Sequence, residues 1–199
     1  MAGRLPELQA FLDAFSDAIV ARAGPDQPTA KAAARIFGAL ATPAELEPVK
    51  PGRIPCCRHL EPAFVAAADA PKPAARLAST LHGLEPHLKW VARGNAAEIG
   101  EPFLSGHANA SIVGPGALEN RADVWVGVSL MAPRITYPDH NHAPEEVYVA
   151  LSPGEWRQND NAWVEPGVGG LVYNPPSIRH AMRSGAAPFL AAWCLWAGR

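Results

Sequence analysis

The sequence predicts a mainly β protein in which an antiparallel sandwich or barrel forms the second half and helices form the first. In residues 1 to about 95, apolar side chains recur at three- and four-residue steps, which is the period of an amphipathic helix. After about residue 100, short runs rich in β-branched and aromatic residues alternate with turn residues, as expected for strands. Several short strands at close spacing are typical of a sandwich or barrel, so we expect the helices to cover one of its sides.

Four helices are predicted before residue 95. The first carries its apolar residues on one stripe, formed by Leu5, Leu8, Phe11, Leu12, Phe15 and Ile19. The second begins with Thr29 as its N-cap, and the third covers Leu60 to Ala68. The fourth runs from Pro73 to about Val91 and ends near Gly94, and clusters of Pro and Gly separate the helices from one another.

Strands are predicted in the second half at 123–131, 146–151, 170–173 and 188–196. The chain has no internal repeat, and the stretch between Gly94 and Glu101 is too short to separate two independent domains. We therefore expect residues 1–98 to form a helical segment that packs on a barrel formed by residues 99–199.

The composition argues against two classes of partner. Charged residues make up 18% of the 199 residues, the formal net charge is -2, and Lys and Arg never form a run. Nucleic acid is therefore not an expected partner. A membrane is not expected either, because no apolar run approaches the roughly 18–20 residues that a span needs. Glu7, Asp13 and Asp17 interrupt the first twenty residues, which indicates an amphipathic helix and not a signal peptide.

The three cysteines do not suggest a disulfide framework, because Cys56 and Cys57 are adjacent and Cys194 stands alone in an apolar strand. Reduced thiols are typical of the cytoplasm, which is the expected location. The pattern leaves the oligomeric state open between a monomer and a homodimer, since the helices either cap the barrel within one chain or contribute to a dimer.

The segment 137–154, YPDHNHAPEEVYVALSPG, concentrates residues that carry chemistry. His140 and His142 stand two apart, so on an extended strand they project from the same face. The Ala-Pro pair after them allows a turn, and Glu146 and Tyr148 share one face of the next strand. We therefore expect one barrel wall to present two imidazoles, a carboxylate and a phenol to the interior. The same parity favours Glu146 over its neighbour Glu145.

The segment 169–184, GGLVYNPPSIRHAMRS, adds a glycine turn, a strand, a Pro-rich corner and His180. His142, Glu146 and His180 form a ligand set that suits Zn²⁺, Fe²⁺, Mn²⁺ or Ni²⁺, with His140 as a further candidate ligand. Such a set leaves open positions for water or substrate. A hard-cation site made only of oxygen ligands is not indicated.

These two segments resemble the paired motifs of the cupin superfamily over about residues 120 to 197. His140-x-His142-x₃-Glu146, followed by Gly154, is similar to the first motif, and Gly169-x₅-Pro175-x-Ser177-x₂-His180 is similar to the second. The resemblance implies a cupin fold, that is, a double-stranded β-helix or jelly-roll barrel, here preceded by an N-terminal helical segment. Ser177 stands where the motif usually has Gly and Ser184 where it often has Asn, and both departures affect turn geometry more than ligation.

A narrower resemblance is carried by Tyr137-Pro-x-His140-x-His142-x-Pro-Glu-Glu146-x-Tyr148. A cupin of about 200 residues with this motif is similar to the bacterial dimethylsulfoniopropionate (DMSP) lyases of the DddQ group, which cleave DMSP to dimethyl sulfide and acrylate. The resemblance implies that His142, Glu146 and His180 bind the metal and that Tyr148 is a fourth ligand or the catalytic base. It also implies that Tyr137 and His140 help in substrate binding and proton transfer.

Cleavage of DMSP is a β-elimination in which the sulfonium group, the cationic end of the substrate, leaves as dimethyl sulfide. We expect Tyr137, together with a tryptophan such as Trp125 or Trp163, to hold this cation by cation–π contact, worth roughly 0.5–2 kcal/mol each. Because a fold does not choose a reaction, two alternatives stay open at this point. One is another metal cupin enzyme, a dioxygenase or an isomerase acting on a small carboxylate, and the other is a non-catalytic cupin that binds a small molecule.

Overall fold

The computed structural model describes residues 3–198, and its helices all lie before residue 107. The α-helices are α1 (Pro6–Val20), α2 (Pro28–Leu40), α3 (Leu60–Ala68), α4 (Lys72–Leu84), α5 (Ala96–Ile99) and α6 (Phe103–Gly106), with 3₁₀ turns at Pro55–His59 and Glu85–His87. Within the described residues, no helix combines the length and the apolar character that crossing a membrane would require.

The strands build two sheets. They are β1 (Glu45–Leu46), β2 (Trp90–Val91), β3 (His107–Val113), β4 (Glu119–Asn120), β5 (Val124–Met131), β6 (Thr136–His140), β7 (Glu145–Ala150), β8 (Glu155–Gln158), β9 (Leu171–Asn174), β10 (His180–Arg183) and β11 (Phe189–Trp196). The larger sheet has the order β1-β4-β3-β5-β11-β7-β9, with β2 added beside β3. The smaller sheet has the order β6-β10-β8.

Alternation along the central strands separates two apolar cores. Val147 and Val149 of β7 belong to the core that the helices share with the outer face of the larger sheet, whereas Tyr148 and Ala150 belong to a second core. That second core also contains Trp156 of β8, from the smaller sheet. Residues of one strand therefore alternate between the helix layer and the space between the sheets. The site residues of β7 lie on the inner side.

The predicted helical cover is confirmed, with corrections to the boundaries. The apolar stripe of α1 is buried in the core beneath the helices, except for Leu5, which is only partly buried. Thr29 is not an N-cap, because α2 begins at Pro28, a position where a missing N–H costs nothing, and Thr29 is buried inside the helix. The fourth helix stops at Leu84, since Pro86 follows in a 3₁₀ turn and Trp90–Val91 then pairs with β3.

The larger sheet also receives strands from residues 1–98. Two short strands, Glu45–Leu46 and Trp90–Val91, lie before the barrel and pair with β4 and β3 respectively. The first half of the chain is thus joined to the barrel by strand pairing as well as by packing. The domain boundary at residue 98 stays a prediction.

Candidate metal centre

Four of the sequence-predicted site residues converge between the two sheets. Glu146 projects inward from β7 of the larger sheet, while His140 on β6 and His180 on β10 are directly paired in the smaller sheet. His142 lies in the connection after β6, and its carbonyl accepts a hydrogen bond from the Ser177 amide at 2.9 Å. The expectation of a single wall is therefore corrected: the chain changes sheet between His140 and Glu146, and the site forms between opposing walls.

Three donor atoms lie close enough to share one ion. His142 Nε2 is 3.2 Å and His180 Nε2 is 3.5 Å from the Glu146 Oε2 atom, and the three ligand atoms all lie within 4.8 Å of one another. Zn–N and Zn–O bonds of about 2.0–2.1 Å in a tetrahedron place neighbouring ligand atoms about 3.3–3.4 Å apart. Both distances to Glu146 match that spacing.

Backbone carbonyls orient the imidazoles for ligation through Nε2. The Nδ1 atoms of His140, His142 and His180 lie 2.9 Å, 2.9 Å and 3.0 Å from the carbonyl oxygens of Pro138, Pro144 and Ile178. A carbonyl only accepts, so each Nδ1 donates and the lone pair is left on Nε2. The Nε2 of His180 is fully buried and has no hydrogen-bond partner among the described residues. A metal ion would satisfy this atom, so the donor set fits a divalent transition metal.

His140 stands beside this group and is not part of it. Its ring lies 4.1 Å from the His180 ring and 4.2 Å from the Tyr137 ring, between centroids, but 6.4 Å from the His142 ring. Tyr137 is buried, and its ring also makes edge contacts with Phe103 and His107. His140 therefore connects the three-residue group to the aromatic cluster of Tyr137, Phe103 and His107.

Tyr148 lies two residues beyond Glu146 on the same inner face of β7. It is almost fully buried, and its ring lies 6.0 Å from the Trp156 ring. Burial raises the pKa of Tyr148 well above its ordinary value, and the negative charge of Glu146 raises it further. Without a cation nearby, this phenol therefore stays protonated at neutral pH.

The pKa values of the histidines differ across the site. Burial lowers the pKa of His140 to about 3, helped by the neighbouring His180, and burial also lowers the pKa of His180. Burial acts in the same direction on His142, but the hydrogen bond and charge of Glu146 more than offset it, so the pKa of His142 is raised. Neutral imidazoles are the form that binds a metal.

The two departures from the usual motif lie at turns that hold His180. Ser177 adopts φ 62°, the left-handed region that favours glycine, and this conformation directs its amide to the His142 carbonyl. The Ser184 hydroxyl donates to the Ala132 carbonyl at 2.7 Å and accepts from the Ile135 amide at 2.8 Å. Serine thus replaces Gly and Asn here without loss of either turn.

Comparison with known families settles the group to which this chain belongs. The family model described as dimethylsulfoniopropionate lyase matches residues 29–191. The chain belongs to the DMSP lyase family. It is thus a lyase by family. The matched range begins after α1 and includes the helices α3 and α4 and all of the ligand positions proposed from the motifs.

Two curated relatives of the family are similar to the chain. A protein named putative dimethylsulfoniopropionate lyase DddL, from Cereibacter sphaeroides, is 35% identical over 94 residues, which are 46% of this chain and 39% of DddL. The dimethylsulfoniopropionate lyase DddQ of Ruegeria pomeroyi is 28% identical over 173 residues, or 82% of this chain and 81% of DddQ. The similarity to DddL thus spans less than half of that relative, whereas the similarity to DddQ spans most of it.

Solved structures of DMSP lyases share the fold. The crystal structure of DddQ from Ruegeria pomeroyi superposes with a TM-score of 0.70 at 23% identity, over 96% of this chain and 91% of that one. A structure described among the DMSP lyases RdDddP and RnDddQII gives the same TM-score at 21% identity, over 96% and 92% of the two chains. The predicted fold class, a mainly β cupin barrel preceded by a helical segment, is confirmed.

The structure does not bring Trp125 or Trp163 to the histidines of this lyase. Trp125 shares a cross-strand row with Glu146, but it is two strands away and 37% exposed. Trp163 lies at the smaller sheet, where its ring is covered by the guanidinium groups of Arg157 and Arg183 at 4.9 Å and 4.4 Å. Trp163 therefore already has cationic partners of its own.

Sequence reasoning missed two residues that support the site. Asn174 is fully buried, pairs with Glu146 in the β7–β9 register, and donates to Glu146 Oε2 at 2.9 Å. Gln158 in turn donates to the Asn174 side-chain oxygen at 2.8 Å. An asparagine before two prolines is an ordinary turn signal, and only the pairing of β7 with β9 reveals its partner.

Proposed function

We propose that this chain is a metal-dependent DMSP lyase that cleaves DMSP to dimethyl sulfide and acrylate. One observation carries the proposal: a chain of the DMSP lyase family places His142, Glu146 and His180 within 4.8 Å of one another, with Tyr148 on the same inner face. In this proposal His142, Glu146 and His180 hold one divalent transition metal. A divalent ion bound there supplies positive charge that favours both the enolate-like transition state and the Tyr148 phenolate, by several kcal/mol.

The reaction needs a base beside the substrate and a site that excludes water. Tyr148 takes the proton from the carbon next to the carboxylate, the electron pair forms the carbon–carbon double bond, and the bond to sulfur breaks. The sulfur keeps that bonding pair and leaves as neutral dimethyl sulfide. Tyr148 is 4% exposed, so the proton moves in a space that the protein shields from solvent.

Tyr137 and His140 have a different task in the proposal. Burial raises the pKa of Tyr137 to about 12, so Tyr137 stays a phenol and is a donor, not a base. His140, with its pKa near 3, stays neutral and presents its Nε2 lone pair. This pair of residues orients the substrate and passes the proton onward, while Tyr148 accepts it first.

The test is an anaerobic assay of the metal-loaded protein with DMSP, in which headspace dimethyl sulfide and dissolved acrylate are both measured. We expect the two products in equal amounts, no oxygen requirement, and loss of release when a chelator removes the metal. An oxygenase would need oxygen, and a binding protein would form neither product. Absence of dimethyl sulfide with each of Zn²⁺, Fe²⁺, Mn²⁺ and Ni²⁺ would refute the proposal.

A further inference from the structure

Arg93 lies one aromatic ring away from the histidines of the metal centre. It follows β2 in the loop before α5, and its guanidinium lies 4.9 Å above the Tyr137 ring. The Tyr137 ring is 4.2 Å from His140, and His140 is 4.1 Å from His180. A cation contributed by the first half of the chain therefore covers the cluster that leads to the metal ligands.

The Arg93 side chain has no acidic partner in the part of the chain that the structure describes. No carboxylate oxygen of residues 3–198 lies within 4.0 Å of its guanidinium, whereas Arg4, Arg53 and Arg183 are each paired with a glutamate. Its charge is nevertheless felt inside the barrel. Burial lowers the pKa of His107 to about 3, and the Arg93 charge adds to this shift. A partly buried guanidinium without a counter-ion is a ready anion-binding group.

The charges around the centre also favour an anion. A divalent ion at the centre, taken together with Glu146 and Arg93, carries a net positive charge. Among the described residues, no other carboxylate contacts the histidines of the metal centre. Burial between two sheets strengthens this field relative to water. A ligand with one negative and one positive end would enter with its negative end first.

We propose that Arg93 binds the carboxylate of the substrate from the Tyr137 side and thereby sets both the substrate class and its orientation. This inference rests on the proposed function, since it assigns the carboxylate end of that function's substrate to a named side chain. The guanidinium offers two parallel N–H donors to the two carboxylate oxygens. The same charge repels the sulfonium, which must then lie away from Arg93. This placement replaces the expectation that the Tyr137 ring holds the sulfonium, because the guanidinium of Arg93 already lies over that ring.

The test measures binding of unreactive ligands, so it does not depend on turnover. The ligands are 3-(methylthio)propionate, a carboxylate without the sulfonium, and its neutral amide, both titrated calorimetrically into the zinc-loaded protein. We expect Arg93→Gln to bind the carboxylate roughly 10- to 100-fold more weakly than wild type, as expected for loss of a charge-assisted hydrogen bond. Binding of the amide should change less than about twofold, and the bound zinc should be unchanged.

Arg183→Gln is the matched control, because Arg183 also lies over an aromatic ring, Trp163, but away from the histidines. It should bind both ligands as wild type does. Arg93→Lys keeps the charge but loses the planar pair of donors, so its affinity for the carboxylate should fall between those of wild type and Arg93→Gln.

Three results would overturn the inference. They are carboxylate affinity within twofold of wild type in Arg93→Gln (or in Arg93→Lys, if the first variant does not fold), equal losses for acid and amide, and loss of zinc. Failure of the proposed function is seen separately, as absence of dimethyl sulfide from wild-type protein that still binds the carboxylate through Arg93.

Discussion

The Asn174 amide offers the sharpest test of how the protein builds the metal centre. Asn174 donates to the Glu146 oxygen that also faces both histidines, and Gln158 fixes the amide from its other side. Asn174→Leu keeps a similar volume and removes the donor. A hydrogen bond to a charged group contributes about 1.5–3 kcal/mol, which corresponds to about a 10- to 150-fold change in a dissociation constant. Outer partners of metal ligands typically change metal affinity about 10- to 100-fold.

We therefore expect Asn174→Leu to bind zinc at least about tenfold more weakly than wild type. The measurement is a competition titration against a chromophoric chelator, with circular dichroism to confirm the fold. Tyr173→Phe is the matched control, because the Tyr173 hydroxyl donates to Glu145, on the opposite face of the same strand. Zinc affinity of Asn174→Leu within twofold of wild type, in a folded protein, would refute the idea that Asn174 orients Glu146.

Three further predictions concern the base Tyr148, the metal ligand His180 and the buried His107. Tyr148→Phe should retain fold and zinc but lose most dimethyl sulfide release; near-normal release would remove Tyr148 as the base. His180→Ala should lose zinc by elemental analysis while Glu145→Gln keeps it, because Glu145 faces Tyr173 outside the site; full zinc retention by His180→Ala would contradict the ligand set. His107 has a folded-state pKa of about 3, below the unfolded value, so its contribution to stability is full above about pH 6.5 and is lost as the pH falls toward 3. Between about pH 7 and pH 5, the unfolding free energy of the wild-type protein should therefore fall by about 2 kcal/mol more than that of His107→Leu. Urea denaturation curves that show the same fall for wild type and for His107→Leu would exclude this role for His107.

Local periodicity was enough for the features that depend on one segment. The α1 stripe and the choice of Glu146 over Glu145 both follow from which face a residue occupies, and a two-residue alternation settles that within a single strand. The grouping of His142, Glu146 and His180 as candidate metal ligands was also predictable from the sequence. Few residue types bind a transition metal, so their spacing in the two motifs was enough to select them.

Features that depend on pairing between distant segments were not readable from the chain. His140 and His180 become neighbours through the pairing of β6 with β10, and Asn174 meets Glu146 through β7 and β9. Arg93, although close to β2 in sequence, reaches Tyr137 only once the first half of the chain packs against the barrel. A linear pattern records which face a side chain occupies but not which strand lies opposite, and it is that opposing strand which gives a buried ligand its partners.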